Sequence, residues 1–427
     1  MRESVAAIFL KEDKVFTVVR QNYLKVFPGY LAFPGGKVDG EESLREALMR
    51  EIQEELGFDI ESNEGSIEKT YELGIAITPS FNPYRFKTHY YVIKLKNEVI
   101  FEVDAGEAAS SSWESPQELL AQYKKAKHLA VPPMIMILEA LAQNINHSET
   151  VDLSLPFDDG DQVPMIESIY GVKHFLPLSN TFRPANRTNS FLIGDAGKEV
   201  LIDPSPCDQN ECDKFIKALD KFNISKIFIT HHHPDHHEYL RSFEQRYNVP
   251  VGMSVTTYEL LEKKYGVDYL EGMSIEIYQE GDVLTQTLDD DVLVYEVPGH
   301  DAGQLALAPR SLNWFLVGDL IQTVGTVVVG GDEANMADYF KSLQKVIDLN
   351  PTFCIPSHGI SIGGTHKIKK TLNHRKKREE GIRELMAKGH DLDSIVALLY
   401  SDLDKNLVRY ARATVLSHIK KIEIEPS

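Results

Sequence analysis

The densest set of potentially reactive side chains in this sequence lies at residues 231–236, which read HHHPDH. A strand-like stretch, residues 224–230, leads into them, so they are expected on a loop at the carboxyl end of a strand. Alternate residues point the same way there, so His231 and His233 can share one ion while Asp235 and His236 turn to a second. Neutral imidazoles with a carboxylate suit zinc. The alternative interpretation is a histidine-rich surface turn.

Three later apolar runs end in side chains of the same chemical kind. His300 closes the run VPGH, Asp319 closes VGD, and His358 lies in IPSHG. Each run carries a Gly or Pro turn, so each of these residues is predicted at a strand end. A single histidine beside a strand is usually structural, but three such ends after HxHxDH favour a metal centre over the surface turn.

This order of residues resembles the metallo-β-lactamase fold family, the binuclear zinc hydrolases that include glyoxalase II. The resemblance implies two zinc ions bound by seven side chains, namely His231, His233 and His300 for the first, Asp235, His236 and His358 for the second, and Asp319 between them. It also implies that Asp203, in the run LIDP, supports the ligands from behind. The implied mechanism is attack by a metal-bridging hydroxide on an ester, thioester or phosphoester, with Asp235 and Asp319 as catalytic carboxylates.

The sequence departs from the family pattern at two places. His237 and Glu238 stand where glycines commonly follow the HxHxDH run, and Asp301 stands where threonine is usual after the histidine. We expect His237 and Glu238 to be loop residues rather than additional ligands.

A second spaced set lies near the N-terminus, where residues 36–58 read GKVDGEESLREALMREIQEELGF. This segment fits G-x5-E-x7-R-E-U-x-E-E-x-G-U, the Nudix box, at every fixed position. Residues 41–56 have helical composition, and Gly57 is a plausible helix stop. Glu51, Glu54 and Glu55 are then spaced i, i+3 and i+4, so their carboxylates share one face.

A solvated acidic face is the alternative interpretation of these three carboxylates. The glycine turn Pro34-Gly35-Gly36 follows the strand-like residues 30–33, however, and a tight turn beside a carboxylate helix favours an all-oxygen pocket. Such a pocket suits magnesium or manganese, which neutralise a pyrophosphate and activate water.

The resemblance to Nudix hydrolases implies roles for individual residues. Glu51, Glu54 and Glu55 would be the metal-binding and base carboxylates. Gly36, Glu42 and Arg50 would support them. Glu107 would add a loop acid to the metal site, with Glu102 and Asp104 as neighbouring alternatives.

Looser motifs resemble the mammalian peroxisomal coenzyme A diphosphatase branch of the Nudix family. They are TP at 78–79, RFKTHYY at 85–91, WESP at 113–116 and VPP at 131–133. Each alone could be ordinary strand or loop sequence. Together they imply a coenzyme A-like substrate.

Composition agrees with a multi-domain globular enzyme. The 427 residues are 42% hydrophobic and 26% charged, and the net charge of −19 disfavours indiscriminate nucleic-acid binding. The three cysteines lack CxxC spacing, which indicates free thiols in a reducing cytoplasm. A signal-peptide pattern is missing from the N-terminal residues, and Asp319 interrupts the apolar stretch 314–330, so a cytoplasmic protein without a membrane segment is expected.

The order of motifs predicts an α/β multi-domain chain. A Nudix α/β/α sandwich is expected at residues 1–145 and a polar, acidic linker at 146–165. A metallo-β-lactamase αββα sandwich is expected at 166–364, and a small helical, winged-helix-like domain at 365–427.

The last segment contains a basic run of eight side chains, Lys367, Lys369, Lys370, Arg375, Lys376, Lys377, Arg378 and Arg383. The arrangement His374-Arg375-x3-Glu379 resembles the tail of lactamase-β-like hydrolases, a branch that contains single-strand-specific endoribonucleases. The run could be a solvated helix face, a clamp for a substrate phosphate, or an RNA contact.

These features predict a bifunctional cytoplasmic metallohydrolase. Its Nudix half would cleave a diphosphate in a small nucleotide-linked substrate, for which the looser motifs imply coenzyme A or an acyl derivative, and its zinc half would hydrolyse an ester, thioester or phosphoester. The alternative is an RNA-processing enzyme that removes a 5′ cap and cuts the chain. A metal-dependent binding protein would require both sites to have decayed, yet every ligand position is filled.

Overall fold

The computed structural model describes residues 1–82, 84–97, 99–155 and 160–424. The chain forms two compact units, residues 1–174 and 175–427. Residues 156–159 of the predicted linker lie outside the described residues, and the predicted boundaries at 145, 165 and 364 stay predictions. No helix in the part of the chain that the structure describes has the length and apolar character needed to span a bilayer.

The described residues of the first unit form ten helices and strands and one 3-10 turn (Glu64–Ser66). In chain order the ten are β1 (Arg2–Lys11), β2 (Lys14–Arg20), β3 (Leu31–Ala32), α1 (Leu44–Leu56), β4 (Ile67–Ile77), β5 (Phe86–Leu95), β6 (Ala108–Glu114), α2 (Pro116–Tyr123), α3 (Pro132–Gln143) and β7 (Met165–Ile169). Strand β8 (Val172–Phe175) runs across the point in the chain where this unit ends.

The first unit has a mixed sheet that is covered on both faces, as an α/β/α sandwich requires. Its strand order is β3-β2-β1-β5-β4, with β6 paired to β2 and β1 parallel to β5. Central strand β1 is buried on both faces: Val5, Ala7 and Phe9 pack with α1, whereas Ala6, Ile8 and Leu10 pack with α2 and α3. The period of two in β1 therefore places α1 on one face of the sheet and α2 and α3 on the other.

Part of the predicted linker packs onto the first unit. The Val151 amide donates to the Leu73 carbonyl at 2.9 Å, and Leu153 is buried in the same core as α3. The Ala130 amide likewise donates to the Ser168 carbonyl at 3.0 Å. These contacts explain why the first unit continues beyond α3.

The second unit contains the remaining elements. They are β9 (Ser190–Ile193), β10 (Glu199–Ile202), α4 (Gln209–Leu219), β11 (Ile224–Phe228), α5 (Pro234–His237), α6 (Leu240–Tyr247), β12 (Val251–Met253), α7 (Val255–Tyr265), a 3-10 turn (Val267–Tyr269), β13 (Ile275–Ile277), β14 (Val283–Thr287), β15 (Asp290–Glu296), β16 (Leu305–Pro309), β17 (Trp314–Gly318), α8 (Met336–Leu349), β18 (Phe353–Pro356), β19 (Ile362–Gly363), α9 (His366–Ala387), α10 (Leu392–Leu399) and α11 (Val408–Ile424).

Two sheets dominate this unit. Strands β10 to β13 are parallel neighbours, and β9 pairs antiparallel with β10. The second sheet has the order β14-β15-β16-β17-β18-β19, in which only the β17–β18 pair is parallel and is connected through α8. Four strands are buried along their whole length, namely β10, β16, β17 and β18. Each sheet therefore packs on the other sheet with one face and on helices with the opposite face. This agrees with the predicted αββα architecture.

The carboxyl ends of these strands carry the predicted ligands. Asp203 and Asp319 directly follow the ends of β10 and β17. His231 is the third residue after the end of β11. Two hydrogen bonds hold the ends of the sheets at one place: the Leu305 amide donates to the Thr230 carbonyl at 2.9 Å, and the Asn189 amide donates to the Ser357 carbonyl at 2.8 Å. Residues that are more than 150 positions apart along the chain are thereby brought to one edge.

Candidate active sites

The first group of predicted zinc ligands converges on a point between three imidazoles. The Nδ1 atom of His233 lies 3.0 Å from Nε2 of His231 and 2.9 Å from Nε2 of His300. Burial, reinforced by the surrounding histidines, lowers the pKa of His231 well below its usual range, and burial lowers the pKa of His300 to about 4. These lowered pKa values favour the neutral form of His231 and His300, in which an imidazole presents a lone pair to a metal.

The second group combines histidines with carboxylates. Nε2 of His358 lies 3.6 Å from Oδ2 of Asp235 and 3.3 Å from Oδ1 of Asp319, and Nε2 of His236 lies 3.8 Å from the same Asp319 oxygen. Burial lowers the pKa of His236, but the charges of Asp203 and Asp235 outweigh it and raise that pKa to about 10. The negative charge that favours a proton on His236 equally favours a metal cation.

Asp319 lies between the two groups. Its Oδ1 faces His236 and His358, while its Oδ2 lies 3.6 Å from Nε2 of His300. Among the described residues, Oδ1 of Asp319 and Nε2 of His236 are buried atoms without a hydrogen-bond partner. Buried polar atoms rarely stay unpaired, so their convergence indicates a place for a cation.

Polar groups behind the ligands fix which nitrogen each histidine presents. Asp203 accepts from the backbone and hydroxyl of Thr230 at 2.8 and 2.6 Å, and its Oδ2 lies 2.8 Å from Nδ1 of His236. Nδ1 of His300 faces the Val328 carbonyl at 2.8 Å, and Nδ1 of His358 faces the Arg187 carbonyl at 3.1 Å. In all three histidines Nε2 is left to point into the centre.

Sequence reasoning missed Glu333 and His232. Oε1 of Glu333 lies 3.8 Å from Nε2 of His233, and this contact is the main cause that lowers the pKa of Glu333 to about 2. His232 is buried and hydrogen-bonded through Nδ1 to Asp301. Asp301, the unusual aspartate after His300, was the sequence signal that could have indicated the His232–Asp301 pair. Glu333 lies 100 residues from His233 and had no local signal.

The Nudix helix α1 has well-formed ends. Ser43 accepts from the Glu46 amide at 3.3 Å, while Glu46 accepts from the Ser43 amide at 2.7 Å. This capping box starts the helix at Leu44, later than the helical composition from residue 41 predicted. Gly57 ends it with φ of 62°, as expected for a helix-stop glycine.

The three α1 carboxylates have different partners. The Arg50 guanidinium donates to Glu51 at 2.9 Å, to Glu54 at 3.1 Å and to Glu42 at 2.7 Å. Glu55 instead accepts from the Gly35 amide at 2.9 Å, and burial raises the pKa of its carboxyl to about 7. The mutual repulsion expected of three like charges is thus relieved by one arginine and one buried acid.

Two glycines allow this approach. A Cβ atom on Gly36 would lie 2.4 Å from the Glu51 carboxylate, and one on Gly35 would lie 2.2 Å from the Val5 carbonyl oxygen. The turn therefore supports the carboxylates by leaving room for them.

The predicted loop acid Glu107 lines one pocket together with Glu55, Asp104 and Arg20. Of the two alternatives, Asp104 lines the same pocket, whereas Glu102 lies beside the end of α1, where its Cβ is 3.0 Å from the position of a Cβ on Gly57. Among the described residues, the tight groups of three or more ligand atoms are all in the second unit. Glu51, Glu54 and Glu55 are on one helix but do not form such a group.

Comparison with known proteins shows both domain families. Residues 183–358 match the family model of the metallo-beta-lactamase superfamily, and residues 1–133 match that of the NUDIX domain. The chain is 30% identical over 219 residues to the beta-lactamase-like protein 2 homolog of Caenorhabditis elegans, covering 49% of this chain and 68% of that protein. The chain belongs to the metallo-β-lactamase superfamily and carries a Nudix domain.

Two further relatives each match one of the two domains. A hydroxyacylglutathione hydrolase of Wigglesworthia glossinidia brevipalpis is 29% identical over 170 residues, covering 40% of this chain and 57% of that protein. An RNA pyrophosphohydrolase of Nitratiruptor is 32% identical over 114 residues, covering 25% of this chain and 71% of that protein. The chain is therefore an enzyme with two hydrolase domains.

The residues that depart from the metallo-β-lactamase pattern have local partners. The two ring nitrogens of His237 face the Tyr269 hydroxyl at 2.6 Å and the His232 carbonyl at 3.0 Å. Glu238 accepts from the Asn180 side chain at 2.8 Å. Both side chains thus hold the local structure, although His237 is the last residue of the short helix α5 rather than a loop residue, because Pro234 starts a helical turn there.

The basic run of helix α9 divides into buried, partly buried and exposed residues. Arg375 is buried in α9 and donates to the Val327 carbonyl, and Arg378 donates to the Leu399 carbonyl at 3.1 Å. Glu379 is buried against His418 and Lys421 of α11. The exposed cations of the helix are Lys369, Lys370, Lys376, Lys377 and Arg383. The His-Arg-x3-Glu arrangement therefore packs the tail, and the structure describes helices and turns but no strand in residues 365–424.

Proposed function

We propose that the metallo-β-lactamase domain binds two zinc ions and hydrolyses a thioester. Asp319 carries this proposal, because its two oxygens face two separate ligand groups and one of them is a buried atom without a partner. The first group offers three imidazole nitrogens, and the second offers imidazoles with the Asp235 carboxylate. Such nitrogen and oxygen sets suit zinc.

The protein groups act by holding this set in one geometry. Asp203, Val328 and Arg187 fix the tautomers of three of the five ligand histidines, and Glu333 faces a further one, His233. Little reorganisation is therefore needed during the reaction. When bound, the two ions would supply Lewis acidity toward the thioester carbonyl and toward a water molecule. Hydrolysis breaks the C–S bond, with the water oxygen going to the acyl carbon and a proton going to the sulfur.

We further propose that the Nudix domain, with magnesium or manganese, splits coenzyme A or an acyl derivative at its diphosphate. Glu51, Glu54, Glu55 and Glu107 are the oxygen ligands offered by α1 and the pocket beside it. Glu55 is suited to accept a proton, because its raised pKa of about 7 matches neutral pH. The two reactions would then act on one acyl-coenzyme A.

Product analysis tests the Nudix assignment. The purified chain with Mg²⁺ or Mn²⁺ is expected to convert coenzyme A or acyl-coenzyme A to adenosine 3′,5′-bisphosphate and a phosphopantetheine product, resolved by chromatography. Sugar nucleotides, dinucleoside polyphosphates and NAD are the comparison substrates. Equal or faster turnover of any of them would contradict the coenzyme A assignment but leave the Nudix reaction in place.

The second candidate is RNA, favoured by the exposed lysines of α9 and by the name of the Nudix relative. An RNA substrate requires several phosphate contacts, each of which steepens the loss of binding with salt. Lys369→Glu combined with Lys376→Glu is then expected to weaken binding of single-stranded RNA at least about tenfold and to flatten its salt dependence. Arg378 is avoided because its guanidinium supports Leu399.

Lys124→Glu with Lys125→Glu is the matched control, since it makes the same charge change at exposed lysines of the first unit. A small thioester should be turned over equally by both double variants. Zinc-dependent RNA cleavage that is lost in the α9 variant alone would replace the thioester proposal.

A further inference from the structure

An aromatic pair of one exposed ring, Phe182, and one half-buried ring, Tyr410, joins two segments of the second unit that are far apart in sequence. The ring of Phe182 is 60% exposed, although its centroid lies only 4.6 Å from that of Tyr410, at an interplanar angle of 59°. The guanidinium carbon of Arg409 lies 4.6 Å from the Tyr410 ring centroid. Arg183, next to Phe182, is also exposed. Packing against Tyr410 therefore accounts for only part of the Phe182 surface.

The loop that carries Phe182 is fastened to the second ligand group on both sides of it. Before Phe182, the Thr181 side chain hydrogen-bonds to Asp235. After it, the Thr188 hydroxyl lies 3.4 Å from Oδ2 of Asp235, and the Arg187 carbonyl faces Nδ1 of His358. Only a few residues separate the exposed ring from these contacts, so the aromatic pair lies at the rim of the metal centre.

The segment after Asp319 packs against both the Phe182 loop and helix α11. A Cβ on Gly325 would lie 3.3 Å from Cδ of Pro184, and a Cβ on Gly330 would lie 2.6 Å from the Ala413 side chain. The start of α11, with Tyr410, is thereby placed beside the segment whose Val328 carbonyl faces His300. The two segments that carry the pair therefore both pack against the segment that reaches His300.

An exposed Phe182 ring beside a half-buried Tyr410 ring, with two exposed guanidinium groups next to them, has the chemistry of a stacking site for a planar ring that carries phosphate. Aliphatic acyl chains would not need the arginines, and a bare phosphate would not need the rings. We propose that Phe182 and Tyr410 stack on the nucleobase of the substrate of the metallo-β-lactamase domain, with Arg183 and Arg409 beside its phosphates. This inference rests on the proposed function, because it assigns the nucleotide part of that same substrate.

The test compares acyl-coenzyme A with acyl-pantetheine, which has the same thioester but no nucleotide. Phe182→Ala is expected to raise KM for acyl-coenzyme A roughly tenfold with kcat unchanged, and to leave both constants for acyl-pantetheine unchanged. Phe182→Tyr should restore the wild-type KM. Leu398→Ala, which removes another exposed apolar side chain of the same unit (56% exposed), is the control and should change neither substrate. Equal effects of Phe182→Ala on both substrates, or none, would overturn the stacking site.

A binding measurement separates this proposal from the thioesterase assignment. Adenosine 3′,5′-bisphosphate is titrated into Glu55→Gln protein with and without Phe182→Ala, by calorimetry. The variant with Phe182→Ala is expected to bind adenosine 3′,5′-bisphosphate at one class of sites fewer than the protein that keeps Phe182. If thioesters are not hydrolysed but this difference is found, the proposed reaction fails and the stacking site stands. If the two titrations coincide, the stacking site fails. A loss that appears only with single-stranded RNA would assign the ring stack to an RNA base instead.

Discussion

Replacing Asp319 with alanine is expected to abolish hydrolysis by the metallo-β-lactamase domain. The change removes the oxygen that faces His236 and His358 together with the one that faces His300. A loss on the order of a thousand-fold is expected, because several kcal/mol of transition-state stabilisation disappear and about 1.4 kcal/mol is tenfold. Metal analysis by mass spectrometry should show about two zinc ions per wild-type chain and fewer in the variant.

Asp402→Ala is the matched control, since Asp402 is an exposed carboxylate of the same unit. His233→Ala should resemble Asp319→Ala, because His233 lies within 3.0 Å of two other ligand nitrogens. Diphosphate cleavage should be unchanged in both ligand variants. Wild-type zinc content in folded Asp319→Ala protein would contradict the assignment of Asp319.

Replacing Glu55 with glutamine is expected to abolish diphosphate cleavage and to leave the zinc-dependent reaction intact. Glutamine keeps the size of the buried side chain but can neither accept a proton at neutral pH nor bind a hard cation as a carboxylate does. A loss of about 10²- to 10⁴-fold is expected from removal of a general base. Initial rates with each substrate class, measured on the same preparation, give both activities.

Glu41→Gln provides the control within the same motif, because Glu41 is exposed and occupies a variable position of the Nudix box. Glu54→Gln should also lose cleavage, although its side chain is 61% exposed and is held only by Arg50 among the contacts described above. Loss of both activities from either change, in protein that remains folded, would show that the two sites are not independent.

The local sequence was sufficient to predict the parts of both sites that follow strand ends and helix spacing. His231, His300, Asp319 and His358 follow strands because apolar runs that end in turns mark strand boundaries. Gly57 could be placed because a left-handed helix end favours glycine. These features depend on residues within a few positions of each other.

Contacts between residues far apart in the chain could not be predicted, because local patterns relate only residues within a few positions of each other. Glu333 faces His233, and Arg375 bonds to Val327, across long stretches of chain that no periodicity connects. The polar, acidic composition of residues 146–165 predicts a linker, which stays a prediction, but composition gave no sign that Leu153 and Val163 within it would be buried. The basic run was visible, but only packing shows that Arg375 and Arg378 are used internally.

The contact of Arg375 with Val327 has a thermodynamic consequence. Val328, the next residue, faces His300, and the same segment continues to Glu333, which faces His233. Free energies of linked binding events are reciprocal. If docking of α9 on this segment increases the affinity for metal, bound metal must strengthen the docking of α9 by the same free energy. The tail should therefore resist proteolysis better in the presence of zinc.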